Sequence, residues 1–318
     1  MLKEQYIKFN CPITNVELTI LLLHTINIDP NKKTIVFLHG IGSNTDQFKD
    51  LFENIYVLNN IQIIGINMVG NGYSSEIPNI IMNLRNIDLL NYFTKILDLI
   101  LLELNYNKFY KNIHLVGHSF GAFLASYYAN FHNFVKLTLI APIGIFETTS
   151  HLGYYCSLLF KSGFVDLIYK LYNLNNNKFK FKNNTYINKF ISFDSYGTES
   201  YWNFTQFDLL TKLDTPVQLI YGYNDYIVPL QQSFLIYSLR KHNNLSTILN
   251  IILHTSHDTL SLLHNKNNNH EYKSCLNINK TNIISTNIYH RLLQNITCKL
   301  SEDIFIYYDD SYIKHLFI

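Results

Sequence analysis

The chain has 318 residues, 47% of them hydrophobic and 15% aromatic, and a formal net charge of +2. That is enough apolar material for a large core, and too little net charge to favour nucleic acid or an acidic partner through a long-range field. Four cysteines (Cys11, Cys156, Cys275 and Cys298) stand far apart with no C-x-x-C, a pattern of reduced thiols rather than of a disulfide frame.

Taken in order, Tyr6 to Phe9 and Val16 to Leu23 read as two strands joined by a Cys-Pro turn. Thr34 to Leu38 is an apolar strand that ends abruptly at His39-Gly40-Ile41-Gly42, and Gln47 to Leu58 reads as a helix. Gln62 to Ile66 is the next strand, closed by the Gly-rich turn Asn67-Met-Val-Gly70-Asn71-Gly72-Tyr73-Ser74. Asp88 to Leu104 is apolar over most of its surface and predicts a long buried helix. Ile113 to Val116 and Val135 to Ile140 are strands, with the helix Phe120 to Ala129 between them. Strands separated by helices imply right-handed crossovers and a mainly parallel sheet, an α/β fold.

After Pro142 the alternation stops and resumes only at the strand Val217 to Tyr221. Residues 143–213 are too many for a plain loop and predict a largely helical cap over the carboxyl ends of the strands. On this division, 1–142 and 214–318 are two parts of one core. Leu230 to Arg240 reads as a helix, Thr247 to Leu253 as a strand, 265–283 as an Asn-rich surface loop and Thr286 to Leu300 as a final helix. Ile304 to Tyr308 is a strand or a packed tail.

Chemistry enters at Gly117-His118-Ser119-Phe120-Gly121, where an apolar strand turns into a helix within a few residues. Such a turn holds its middle residue at positive φ and needs nearly side-chain-free flanks, so a serine there stands at the head of a helix. Serine alone is a poor nucleophile; it needs a base within hydrogen-bond reach and a carboxylate to orient that base. Asp225 lies just past the end of the strand Val217 to Tyr221, and His257 just past the end of Thr247 to Leu253. Parallel strands bring both to the edge that carries Ser119. Asp214 rivals Asp225 but does not follow a strand; His254 adjoins its strand and His264 falls within a predicted helix, so His257 is preferred. The backbone N–H groups of Ile41 and Phe120 are placed to hold a developing oxyanion. His39, Gly40 and His118 flank these groups and are expected to contact substrate.

These pieces resemble the α/β-hydrolase superfamily over nearly the full chain: His39-Gly40-x-Gly42, Gly70-x-Gly72-x-Ser74, Gly117-x-Ser119-x-Gly121, Gly222-x-x-Asp225 and Ser256-His257. The resemblance implies Ser119 as nucleophile, His257 as general base and then acid, Asp225 as orienting carboxylate, and Ile41 and Phe120 as oxyanion donors. It implies a serine esterase or lipase with no cofactor, acting on an acyl ester and expected to favour lipid-like substrates because residues 143–213 are dense in Tyr, Phe and Leu. The family's Asp before the Gly-x-Gly-x-Ser turn is Asn67 here, which puts the stability of that turn in question. Serine rather than aspartate at the elbow disfavours epoxide-hydrolase chemistry.

The segment Leu139 to Glu147 is similar to the branch of N-acyl-phosphatidylethanolamine lipases, lysophospholipid hydrolases and cardiolipin deacylases. That branch often carries His-x-x-x-x-Asp, associated with lysophosphatidic acid acyl transfer, where this chain has Leu262. Acyl transfer to lysophospholipids, a non-catalytic binding protein, and a cofactor-free lyase or C–C hydrolase are the alternatives to ester hydrolysis.

His254-x-x-His257 lacks the Glu of a zinc protease motif and any Cys cluster, so no metal is expected. Lys178-Phe-Lys180-Phe-Lys182 reads as an amphipathic strand with a solvated basic face, the alternative being contact with anionic lipid headgroups. No run is apolar over the ~18 residues a membrane helix needs, and the first residues lack the layout of a signal peptide. A cytoplasmic protein is expected, peripheral contact with an internal membrane being the variant those lysines suggest.

Overall fold

The computed structural model describes residues 2–40, 43–49, 51–53, 61–82, 86–143, 209–225, 228, 230–253, 255, 257 and 303–307. The expected strands become β1 (Leu2–Asn10), β2 (Glu17–Thr25), β3 (Thr34–Leu38), β4 (Gln62–Ile66), β5 (Ile113–His118), β6 (Lys136–Ile140), β7 (Val217–Gly222) and β8 (Thr247–Ile252). The terminal aromatic run becomes β9 (Ile304–Tyr307), which joins the sheet parallel to β8 with Leu249 opposite Ile304. The helices used below are α1 (Asn86–Glu103), α2 (Phe120–Tyr128) and α3 (Leu230–His242).

The nine strands form one sheet in the order β1-β2-β4-β3-β5-β6-β7-β8-β9. β1–β2 and β2–β4 are antiparallel, and every other neighbouring pair is parallel. β3 is buried at all five positions, as a parallel strand covered on both faces must be. Its alternate residues enter different layers: Val36 and Leu38 join a core with Ile64 and Leu115, whereas Ile35 and Phe37 join Phe48, Phe52 and Ile63. α1 faces the first layer with Leu89, Tyr92, Phe93, Ile96, Leu97 and Ile100, the three-to-four spacing of one helical face. Each fully buried side chain of this kind contributes about 1.5–3 kcal/mol.

Asparagine ends two of these helices. Asn105 has φ 62°, with Tyr106 N–H reaching Leu101 O at 2.7 Å and Asn105 N–H reaching Leu102 O at 2.9 Å. Asn244 repeats the motif after α3 at φ 57°, with Leu245 N–H to Arg240 O at 2.9 Å. These pairs of bonds satisfy last-turn carbonyls that the helix leaves open, in the left-handed conformation asparagine tolerates. The helix expected from Gln47 begins earlier, as a tight turn at Thr45–Phe48, because the Asn44 side chain caps Asp46 N–H. No helix among the described residues is long and apolar enough to cross a membrane.

Of the expected cap, only residue 143 and residues 209–213 are described; the Asn-rich loop and the helix Thr286 to Leu300 lie outside the described residues.

Candidate active site

Strand β5 and helix α2 meet at Ser119, which has φ 52° and ψ −114°. A Cβ on Gly117 would stand 2.3 Å from Gly121 O, and one on Gly121 would stand 2.2 Å from Leu38 O. Backbone cannot move away as a side-chain tip can, so both positions require glycine. The turn is fixed from within the sheet: Ser119 N–H donates to Ile140 O of β6 at 2.9 Å. Ser119 O accepts the amides of Ala122 and Phe123, both at 3.1 Å. Strain of this kind persists only where neighbouring structure over-determines it.

Three loops at the carboxyl edge then converge. Ser119 Oγ lies 2.8 Å from His257 Nε2. His257 Nδ1 lies 2.9 Å from Asp225 Oδ2. The second oxygen of Asp225 accepts Val228 N–H at 2.8 Å. A carboxylate accepts only, so Nδ1 carries the imidazole proton and Nε2 presents a lone pair to the serine hydroxyl. All three residues are buried, at 7%, 6% and 6% exposure for Ser119, Asp225 and His257. The Asp225 and His257 loops are held together by Asn224 N–H to Thr255 O at 3.0 Å, and a Cβ on Gly222 would stand 2.6 Å from that same oxygen. Gly222 thus permits the approach that brings acid and base into contact.

A family model described as "alpha/beta hydrolase fold" matches residues 33–153, which hold β3 to β6 and the elbow. The chain has the α/β-hydrolase fold. Solved structures align along most of its length. A putative lipase from Acinetobacter baumannii is 15% identical with a TM-score of 0.59, covering 93% of this chain and 93% of its own. The 2-hydroxy-6-oxo-6-phenylhexa-2,4-dienoate hydrolase from Rhodococcus sp. strain RHA1 is 15% identical with a TM-score of 0.54, covering 81% of this chain and 94% of its own. A structure from work on carboxylesterases of the thaumarchaeon Nitrososphaera gargenis is 15% identical with a TM-score of 0.52, covering 80% of this chain and 92% of its own. A comparison with curated protein sequences gave no match.

Within this α/β-hydrolase fold, the other residues singled out in the sequence fall in distinct places. Phe120 is the first residue of α2, with its amide in the opening turn and its ring edge-on to Phe93 at 5.8 Å. Ile41 lies outside the described residues, as do His254, His264 and the lysines 178, 180 and 182. Asp214 is exposed and precedes β7, at the opposite end of the strand from Asp225. His39 spends both ring nitrogens on backbone: Nδ1 donates to Gly40 O at 2.7 Å and Nε2 accepts Met68 N–H at 3.1 Å. It therefore shapes the loop after β3 and has no ring nitrogen left for the substrate contact expected of it. Burial pushes its imidazole down to about 4, so it is neutral. His118, also expected to touch substrate, donates Nε2–H to His257 O at 3.3 Å. Neither that bond nor the Asn224–Thr255 tie has a signal in the sequence, because both join segments distant along the chain. Among the described residues, no group of three or more His, Cys, Asp or Glu is placed to hold a metal ion.

Asn67, the departure from the family pattern, is 2% exposed and bonds Thr45 twice. Its Oδ1 accepts Thr45 N–H at 2.8 Å, and its Nδ2 donates to Thr45 Oγ1 at 2.9 Å. Ser74 Oγ closes the turn by donating to Asn67 O at 2.7 Å while accepting Leu21 N–H at 3.0 Å. An amide serves this site because it supplies a donor and an acceptor to the same partner.

Proposed function

We propose that this protein is a serine hydrolase that cleaves a carboxylic ester through an acyl-enzyme. The observation that carries this is the unbroken relay from Ser119 Oγ through His257 to a buried Asp225 carboxylate. In the proposed reaction Ser119 Oγ attacks the ester carbonyl as His257 Nε2 takes its proton, and Asp225 stabilises the imidazolium. The oxyanion is held by the amides of Phe120 and Ile41. Collapse of the tetrahedral intermediate breaks the C–O bond, and His257 returns the proton to the leaving alcohol. Water, deprotonated by the same nitrogen, then attacks the acyl-enzyme and releases the acid. The substrate is proposed to carry an apolar acyl group, because residues 143–213, which lie between β6 and β7 in the sequence, are dense in Tyr, Phe and Leu.

The test is reaction with a fluorophosphonate probe, followed by a panel of esters from acetyl to long acyl chains and lysophospholipids. Labelling of wild type but not Ser119→Ala, with turnover of esters, is the expected result. Folded wild type that neither labels nor hydrolyses any ester in the panel overturns the proposal. Turnover confined to acetyl esters removes the apolar-substrate part alone.

A further inference from the structure

We infer that His118 is a positioning residue, which holds the catalytic-base loop in register by donating Nε2–H to the main-chain carbonyl of His257. The inference rests on the serine-hydrolase reading of the site and adds a residue to it. His118 is the last residue of β5 and precedes the nucleophile, so the strand that places Ser119 places this ring as well. The ring is 4% exposed and packs 5.1 Å from the His257 ring at 40°, with Phe48 edge-on at 6.2 Å on another side. A carbonyl oxygen can only accept, so Nε2 bears the proton and Nδ1 is left with a lone pair. Burial, reinforced by the neighbouring His257, holds the imidazole well below its ordinary range and therefore neutral.

The far side of the ring shows why the tie has consequences. A Cβ on Gly40 would stand 3.0 Å from His118 Nδ1 and 3.3 Å from Ser119 Cβ. His118 therefore fills the space between the loop after β3 and the loop that carries His257. Nδ1 has no hydrogen-bond partner among the described residues, so the orientation of the ring depends on the Nε2 bond and on packing. A base must be held to within a fraction of an ångström of its proton donor, and the His257 main chain is the root of that side chain. The bond from His118 couples the position of the base to the strand that positions the nucleophile.

The experiment compares His118→Gln with His118→Met, two side chains of similar length and volume, of which only Gln can donate from the Nε2 position. Met is expected to lower kcat about tenfold with KM nearly unchanged, and Gln to stay within about threefold of wild type. A second readout needs no substrate: the downfield proton NMR signal of His257 Nδ1–H. This should persist in wild type and the Gln variant, and broaden or vanish in the Met variant. Equal behaviour of Gln and Met in activity and signal, or failure of both to fold, overturns the inference, because the donor is what separates them. A wild type that shows the signal and its Gln/Met difference but never reacts with probe or ester overturns the hydrolase reading and leaves the tie standing.

Discussion

His257 Nδ1 reaches Asp225 Oδ2 at 2.9 Å, and the carboxylate it meets has no exposed side-chain surface. The other Asp225 oxygen is committed to Val228 N–H at 2.8 Å, so both oxygens must accept at once. Asp225→Asn can satisfy only one of the two donors. Either Val228 N–H loses its partner, or the amide nitrogen faces His257 and forces the imidazole into the tautomer that cannot take the serine proton. The expected result is a kcat roughly 10³–10⁴-fold lower on any ester the wild type hydrolyses. A loss below tenfold with the fold intact would place the orienting carboxylate elsewhere.

Ser119 stands at φ 52° and ψ −114°, where a side chain is strained and glycine is not. Ser119→Ala and Ser119→Gly should both be inactive, yet differ in stability. Relief of about 1–3 kcal/mol of strain is partly offset by the extra freedom glycine gives the unfolded chain, about 0.4–1 kcal/mol. Ser119→Gly is therefore expected to exceed Ser119→Ala by about 1 kcal/mol in urea unfolding. Equal midpoints would mean that the elbow stores no strain.

The central strands and the elbow were legible because their signals are local. Thr34–Leu38 and Gln62–Ile66 are bounded apolar runs, and Gly117-x-Ser119-x-Gly121 is dictated by backbone contact distances. The loops after β7 and β8 could be placed from strand direction alone. Helix ends were harder to see. Among the described residues, four of the six non-glycine residues at positive φ are asparagines (Asn15, Asn27, Asn105, Asn244), and in an Asn-rich chain such punctuation does not stand out as glycine would. What the sequence concealed were bonds between remote segments. His118 and His39 look alike as histidines at the carboxyl ends of apolar strands, but one bonds the His257 carbonyl and the other its own loop and Met68.

Imidazoles held by burial below their ordinary value, His39 and His118 with His24 and His114, give the fold a predictable acid limit. Burial lowers His39 to about 4 and His118 well below its ordinary 6.5. Each binds a proton more readily unfolded than folded, so falling pH favours the unfolded state. Their contribution is fully present above pH 6.5 and erodes as pH drops toward 4, by up to about 1.4 kcal/mol per pH unit for each imidazole. Urea midpoints measured from pH 7.5 to 4.5 should fall across that window. His39→Gln, which still offers polar atoms to the loop, should flatten the slope by about one proton. An unchanged slope would show that His39 titrates normally.

Arg240, fully buried at the end of α3, makes its bonds to oxygen acceptors other than carboxylates. Nη1 donates to Leu210 O and to Leu213 O at 2.9 Å. Nη2 donates to Thr215 O at 3.0 Å and Ser246 O at 3.3 Å, and Nε to Thr247 Oγ1 at 2.9 Å. Five N–H groups thus bind the chain entering β7 to the entry of β8, at the end of the sheet opposite Ser119. A lysine has three donors on a shorter reach, so at least two of the five acceptors lose their bond to this side chain; Ser246 O keeps Val217 N–H at 3.0 Å, and a buried acceptor left empty costs about 1–3 kcal/mol. Arg240→Lys is expected to lose about 2–4 kcal/mol in urea unfolding, and Arg240→Met more, because it removes all five donors at once. Below the unfolding transition the surviving Arg240→Lys protein should keep wild-type kcat and KM, since the clamp acts at the far edge of the sheet. A destabilisation under 1 kcal/mol in Arg240→Met would show that the carbonyls find other partners, and a kcat loss without lost stability would tie Arg240 to the site itself.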